Sequence, residues 1–295
     1  MPIDVAAARG AELPERRFRW DESDVILYHL GVGAGALDEG GGAALHYLYE
    51  NAGFQVLPSF AIVAPTFHEA AVPSLEIPGC DIDLGSVLHY DQQVEVEGPI
   101  SRSGEAVLRS RVCDVFDARD ASLIVREGQA FADDGRLLWT VRDTIYVRGE
   151  DAAAGQSRPR LGGAIPDRPA DVTRSFRVLP QQAMLYRLCG DRNPLHVDPA
   201  FAAKAGFDKP ILHGLCTYGI VLREAVDALF GGDTEVVRSF YARFAGVVLP
   251  TETLVVEMWE EGRCAVVQAG IIDAAGGPTR PALANGLIET SGSGR

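Results

Sequence analysis

The chain reads as an α+β protein made of two tandem copies of one unit, each an antiparallel sheet wrapped around a helix. Three observations lead there. Residues 149–171 are rich in Ala, Gly, Pro, Ser and Arg and have no apolar periodicity, so they read as a linker between 1–148 and 172–295. Each half then runs through helical segments first and alternating apolar–polar strands afterwards. Short echoes also join the halves. Tyr28-His29-Leu30 matches Tyr186-Arg187-Leu188 loosely, and Ala52-Gly53-Phe54 with Pro58 matches Ala205-Gly206-Phe207 with Pro210. An element order repeated in this way indicates duplication, and helices followed by strand runs indicate α+β. Two such units can join edge to edge and hide strands that would otherwise be exposed.

In the first half, Asp21 or Ser23 caps a helix through Val25, Ile26 and Leu27. Helical stretches are expected at Ala43–Ala52 and Ser59–Val72. Strands are expected around Leu88–Val96, Ala106–Val115, Ser122–Ala132 and Leu137–Val147, the last two joined by an Asp133-Asp134-Gly135 hairpin. In the second half, helical signals fill Pro180–Phe230, with a long amphipathic run from Gly214. Strands follow at Val236–Phe244, Thr253–Trp259, Ala265–Asp273 and Ala282–Glu289, with a turn at Ala274–Gly277.

Composition narrows the function classes. The chain has 295 residues, 47% apolar and 23% charged, in the ordinary range for a globular protein. No segment approaches the roughly 20 apolar residues of a membrane span. Met1–Trp20 mixes Arg and Glu without an apolar signal-peptide core, so a cytoplasmic protein is expected. A net charge of −14 argues against nucleic acid or an anionic membrane as partner. Cys80, Cys113, Cys189, Cys216 and Cys264 are scattered and odd in number, which suits reduced thiols that mostly fill core space. The chain's two lysines, Lys204 and Lys209, fall near Arg187 and Arg192. This basic island reads either as a receiver for the phosphates of a nucleotide-like handle, with Lys209 binding substrate, or as a solvated helix face.

The densest chemistry is Gly190-Asp191-Arg192-Asn193-Pro194-Leu195-His196. A carboxylate and an imidazole sit five residues apart around an Asn-Pro turn. Pro194 disfavours a continuous helix by restricting the residue before it, and a turn can bring Asp191 and His196 to one point while the Asn193 amide holds either. Such a pair converging on one water is competent for proton transfer. Farther on, His213-Gly214 opens the amphipathic helix. Gly214 would sit where backbone N–H groups lack intrahelical partners, a position suited to the oxyanion of a thioester enolate. His213, beside it, is expected to border the substrate.

On these residues the chain resembles the MaoC-like, (R)-specific 2-enoyl-CoA hydratases, or hydratase 2. Their signature, Gly-Asp-x-Asn-Pro-[Leu/Ile/Val]-His, is met at every fixed position by Gly190–His196. The resemblance continues through Ala205–Phe207, Pro210–Gly214, Arg243-Phe244 and Leu249–Leu254. The first half is similar to the N-terminal half of the eukaryotic-type double members at Tyr28–Ala34, Tyr49-Glu50 and Leu57–Phe60, and carries no Asp-x-Asn-Pro-x-His. The resemblance implies two tandem hot-dog folds, the first lacking catalysis and widening the acyl tunnel. It implies Asp191 and His196 as the catalytic pair, Asn193 as the residue orienting them and Gly214 as the main-chain oxyanion donor. Tyr28 and Glu50 fall on positions that border the active site. Reversible hydration of a trans-2-enoyl-CoA to an (R)-3-hydroxyacyl-CoA, as in fatty-acid metabolism, is implied, with acyl-CoA as partner, a homodimer as assembly and no cofactor or metal.

Competing signals are weaker. Gly31-Val32-Gly33-Ala34-Gly35 lacks the spacing and βαβ setting of a dinucleotide loop. His46 and Glu50, four apart, read as a metal pair, a surface pair or a pocket wall. Two other function classes share the expected fold: an acyl-CoA thioesterase, which would not need the Asp191–His196 turn, and a non-catalytic acyl-CoA-binding subunit, which would suit a chain that had lost it.

Overall fold

The computed structural model describes residues 3–36, 42, 44–51, 53–118, 120–149, 155–273 and 277–291. The glycine pair Gly40-Gly41, Ala52 and most of the Ala274–Gly277 turn lie outside them. The first half contains strands β1 (Glu12–Trp20), β2 (Val87–Val96), β3 (Gly104–Ala118), β4 (Ala121–Phe131) and β5 (Leu137–Arg148), and the second β6 (Val172–Arg177), β7 (Val237–Phe244), β8 (Thr253–Glu261), β9 (Cys264–Ile272) and β10 (Pro278–Thr290). Helices α1 (Val5–Ala8), α2 (Glu22–Gly31), α3 (Leu45–Leu48) and α4 (Phe60–Val63) belong to the first half. Helices α5 (Gln182–Tyr186), α6 (Pro199–Lys204) and α7 (Gly214–Leu229) belong to the second.

All ten strands form one antiparallel sheet in the order β1-β3-β4-β5-β2-β7-β10-β9-β8-β6. Numbered within its own half, each five-strand set has the order 1-3-4-5-2, and the two sets meet at their second strands. Pairing from Asp91↔Arg243 to Glu95↔Ser239 closes that seam, so neither inner edge is left open. This is the double hot-dog arrangement.

The second half opens on a strand and the first on one helical turn, α1, followed directly by a strand, which corrects the expectation that each half runs through its helices before its strands. β1 and β6 are the outer edges of the sheet. An edge strand pairs on one side and carries polar residues against aggregation, and Arg16, Arg17, Arg19, Arg174 and Arg177 fill that role. The arginines blur the alternation that marks a strand. The first helix forms as expected. The Asp21 carboxylate accepts from the N–H of Ser23 and Asp24, and Asp24 accepts from the N–H of Asp21 at 3.0 Å, a reciprocal cap. The β4–β5 turn closes with Gly135 at φ +82°, and the Gly135 N–H donates to Ala132 O at 2.9 Å.

The long helix α7 is buried around most of its circumference, from Cys216 through Val226 with few gaps. Its expected polar face is covered because α2 crosses it. A Cβ on Gly219 would lie 2.5 Å from the Val32 side chain and 2.7 Å from the Tyr28 hydroxyl. The helix expected at Ser59–Val72 is a second departure. It shrinks to α4 and one 3-10 turn, Ala64–Thr66. Pro65 has no N–H to donate, and in an α-helix its ring would strike the Ala61 carbonyl. Among the described residues the first half therefore has no long central helix of its own. Of the cysteines, Cys189 and Cys216 are buried, while Cys80, Cys113 and Cys264 are half-exposed, so core filling describes two of the five. Among the described residues no helix is long and apolar enough to cross a membrane.

Residues 155–171 lie against the sheet. Asp117 N–H donates to Gln156 O at 2.9 Å, Gly163 N–H donates to Asn285 O at 3.0 Å, and Arg158 forms an ion pair with Asp91 at the seam. Tyr241 Oη donates to the same carboxylate at 3.0 Å. The Arg158 and Asp91 side chains are 11% and 3% exposed. Arg158→Ala strands the buried Asp91 charge and is expected to cost about 3–5 kcal/mol, lowering Tm by roughly 10 °C. Replacing both Arg158 and Asp91 with Leu should recover most of that loss. Thermal unfolding of the three proteins checks both statements, and a shift under about 2 °C for Arg158→Ala would show a pair that water already solvates.

Candidate active site

The second-half turn is built by its own side chains. Gly190 ends a 3-10 turn with φ +105°, and a Cβ there would sit 2.2 Å from Thr66 O. Glycine is thus required twice, by conformation and by the close approach of the first half. Asp191 Oδ1 accepts from the Asn193 N–H at 3.2 Å, and Asn193 Oδ1 accepts from the Leu195 N–H at 3.0 Å. These Asx turns start the 3-10 turn Pro194–His196, in which proline occupies a position that needs no N–H.

His196 is 8% exposed, and its Nδ1 lies 2.9 Å from Ile211 O. A carbonyl can only accept, so Nδ1 carries the proton and Nε2 presents a lone pair. Burial pushes the His196 imidazole below its ordinary pKa, although the Asp191 carboxylate and the Ile211 carbonyl pull the other way. The ring is neutral at pH 7. Behind it, His213 stacks with ring centroids 3.7 Å apart and planes inclined by 28°. Its Nε2 lies 3.3 Å from Asp191 O. His213 is fully buried, and burial together with His196 pushes its pKa well down.

Gly214 is the first residue of α7, and no side chain caps that helix end, so its N–H lacks an intrahelical partner and the helix dipole favours negative charge there. A Cβ on Gly214 would touch the Phe244 ring at 3.1 Å. Asp191, Asn193, His196 and Gly214 share one wall of a cavity of about 770 Å³. The first half contributes Ile62, Pro65 and Thr66 around α4 and Leu108, Val141 and Ile145 on the sheet to the same lining.

Four of the expected site residues are therefore brought together and four are not. Tyr28 is 1% exposed and packs on Phe60 and Tyr186 at ring distances of 5.7 and 6.2 Å, inside the core. Glu50 is exposed beyond the end of α3, and Lys209 is exposed. Neither they nor His213 line the cavity. His213 supports the wall from behind, which corrects its expected contact with substrate. His46 lies 3.6 Å from Asp227 and forms no pair with Glu50. Arg16, missed in the sequence, lines the cavity and pairs with Glu69, while Arg192 Nε donates to Glu69 O at 3.4 Å. Its signal lay in β1, a strand the sequence pattern did not declare. Asp191, His196 and His213 each place one donor atom within 4.8 Å of the others. One nitrogen of each ring is already held by a carbonyl, His196 Nδ1 by Ile211 O and His213 Nε2 by Asp191 O, so each imidazole has one nitrogen left to offer a ligand.

Comparison with known proteins agrees with this fold. Residues 162–276 match the MaoC like domain family, and residues 18–149 match the MFE-2 hydratase 2 N-terminal domain. The chain is 49% identical over 263 residues to Enoyl-CoA hydratase ChsH3 of Mycobacterium tuberculosis, covering 89% of this chain and 91% of that one. It is 34% identical over 274 residues to the peroxisomal Enoyl-CoA hydratase 2 of Arabidopsis thaliana, covering 88% of each. The crystal structure of a MaoC-like dehydratase from Phytophthora Capsici superposes with a TM-score of 0.82 at 26% identity, over 99% of this chain and 98% of that one. With relatives this similar along nearly its whole length, the chain belongs to the MaoC-like hydratase 2 family of enoyl-CoA hydratases.

Proposed function

We propose that the chain catalyses the reversible hydration of a trans-2-enoyl-CoA to a 3-hydroxyacyl-CoA, with Asp191 and His196 as its acid–base pair. The observation that carries this reading is the convergence of a carboxylate and a neutral imidazole on one cavity wall, beside the uncapped start of α7. The names of the relatives support the same chemistry. The Gly214 N–H receives the thioester oxygen as charge builds on it, a contribution typically worth about 2.7–4 kcal/mol of barrier. Asp191 and His196 hold one water between them. Its oxygen adds to the β-carbon, and a proton is delivered to the α-carbon. Asn193 keeps the turn that fixes their separation. The (R) configuration and assembly as a homodimer rest on the family resemblance, and work in the cytoplasm on the N-terminal composition and the scattered cysteines. Arg16 and Arg192, gathered on Glu69, take the place of Lys209 as the cations assigned to the CoA phosphates.

Three measurements test this. Crotonyl-CoA and trans-2-decenoyl-CoA should lose enoyl absorbance without releasing thiol; thiol release would mean a thioesterase, and silence with both a binding subunit. Asp191→Asn and His196→Ala should each lower kcat by about 10²–10⁴-fold and leave Tm within a few degrees, and near-native turnover by either variant would remove that residue from the mechanism. The pH profile gives the third. His196 must be neutral to act, and burial sets its pKa below the ordinary 6.5. The acid limb of kcat/KM should therefore fall at lower pH than an exposed imidazole would give. Its proton uptake on unfolding adds a loss of stability that begins as pH drops below about 6.5 and ends at the lowered folded value. An acid limb above pH 6.5 contradicts the assignment.

A further inference from the structure

The inner face of a hot-dog sheet normally meets a helix and is apolar. In the second half it carries Leu254, Val256, Met258, Val267, Ala269 and Ile271, all buried. The corresponding face of the first half breaks this rule. Arg126 on β4 stands directly opposite Asp143 on β5, and both line the cavity. Arg126 Nε and Nη2 donate to the same oxygen, Asp143 Oδ2, at 3.1 and 2.7 Å. The side chains are 27% and 19% exposed, and that exposure is toward the cavity they line.

Among the described residues neither Arg126 Nη1 nor Asp143 Oδ1 has a hydrogen-bond partner. Ser110, also on the cavity wall, is opposite Gly128 on the neighbouring strand. A Cβ on Gly128 would lie 3.2 Å from Ser110 Oγ, so glycine here keeps the hydroxyl uncovered. The surrounding wall is largely apolar, formed by Leu108, Val141 and Ile145, with Gln92 opposite Asp143 and its amide nitrogen donating to the Gln93 and Arg142 carbonyls. An alkyl chain laid across it would strip water from a guanidinium and a carboxylate and return no hydrogen bond, which is unfavourable.

The charges also say what would satisfy the wall. Arg126 and Asp143 cancel, so a carboxylate finds no excess cation and an amine no excess anion. His89 lies between this wall and the catalytic turn. Its ring is 4.8 Å from that of Phe244, which touches Gly214, and burial holds it neutral while it senses Asp143, Arg126 and Asp191. A hydroxyl can accept from Arg126 and donate to Asp143, and a ketone can accept from Arg126 and Ser110.

We propose that the acyl group this cavity is built for carries a neutral oxygen function, a hydroxyl or a ketone, several carbons beyond the reacting pair, and that Arg126, Asp143 and Ser110 receive it. This rests on the hydratase reading above and names its substrate class.

The test compares trans-2-decenoyl-CoA with the same chain bearing a hydroxyl or a ketone at each of carbons six to nine. In the native chain at least one oxygenated substrate should exceed the plain one in kcat/KM by about tenfold or more, since a site built for a polar group discriminates strongly against its absence. The Arg126→Met/Asp143→Leu double variant should bring that ratio to one or below, and Ser110→Ala should reduce it less. If the double variant does not fold, Asp143→Asn and Ser110→Ala carry the comparison. Equal or poorer turnover of every oxygenated substrate by the native chain overturns the inference alone, as does a preference that survives in folded variants. No turnover of any of them, nor of crotonyl-CoA, overturns the hydratase reading and this inference with it.

Discussion

Burial of α7 is the constraint on which the rest of the structure depends. One sixteen-residue helix covers the second half of the ten-stranded sheet, while in the first half Pro65 stops its counterpart after a single turn of α-helix. A helix covered on nearly every side cannot carry a polar face, and α2 must cross it closely enough that position 219 has room only for glycine. The same arrangement fixes the N-terminus of α7 in space. Gly190 and Gly214 then lie so close to Thr66 and Phe244 that neither position has room for a side chain without a shift of its neighbour. The space left by the missing first-half helix opens beside that fixed point, so the cavity and the chemistry share one cause.

The second theme is charge neutrality inside the cavity. Burial pushes His89, His196 and His213 below their ordinary pKa, which keeps three imidazoles near one carboxylate without adding positive charge. Two of them are held by carbonyl oxygens, Ile211 O for His196 and Asp191 O for His213. Each carbonyl selects a tautomer. In His196 this leaves Nε2 with the free lone pair, the base of the proposed reaction, and in His213 it ties the ring to the backbone of the residue that carries the carboxylate. The stacked pair thereby couples the positions of Asp191 and His196, so a shift in one ring is felt by both.

How much of this was legible in the sequence depends on the range of the interaction. The catalytic turn was readable because it is made locally. Asp191, Asn193 and Pro194 determine its geometry through side-chain-to-backbone bonds two residues long, and Gly214 followed from the helix pattern after it. The strands buried on one or both faces were readable by alternation. β1 and β6 were not, because edge strands pair on one side and their arginines answer to solvent. Arg16 was lost with β1. Tyr28 and Glu50 were misplaced because nothing in the local pattern says how α2 sits on α7 or where α3 stops. The Arg126–Asp143 pair depends on the register of β4 against β5 across seventeen residues, and no local signal carries register.

The difference between the two halves also bears on the proposal that only the second is catalytic. An Asp-x-Asn-Pro-x-His turn needs, beyond its two proton carriers, a helix end that can take up the charge of the thioester oxygen. In the second half α7 supplies that end with four turns of aligned peptide dipoles behind it. In the first half α4 offers four residues and ends at proline, too few to sum to an appreciable dipole. Restoring the side chains alone would therefore restore a turn without its electrophile. Under the proposed reaction, the proline that keeps this helix short leaves the first half without an oxyanion site and leaves its side of the cavity open, so that half holds the substrate while the other reacts with it.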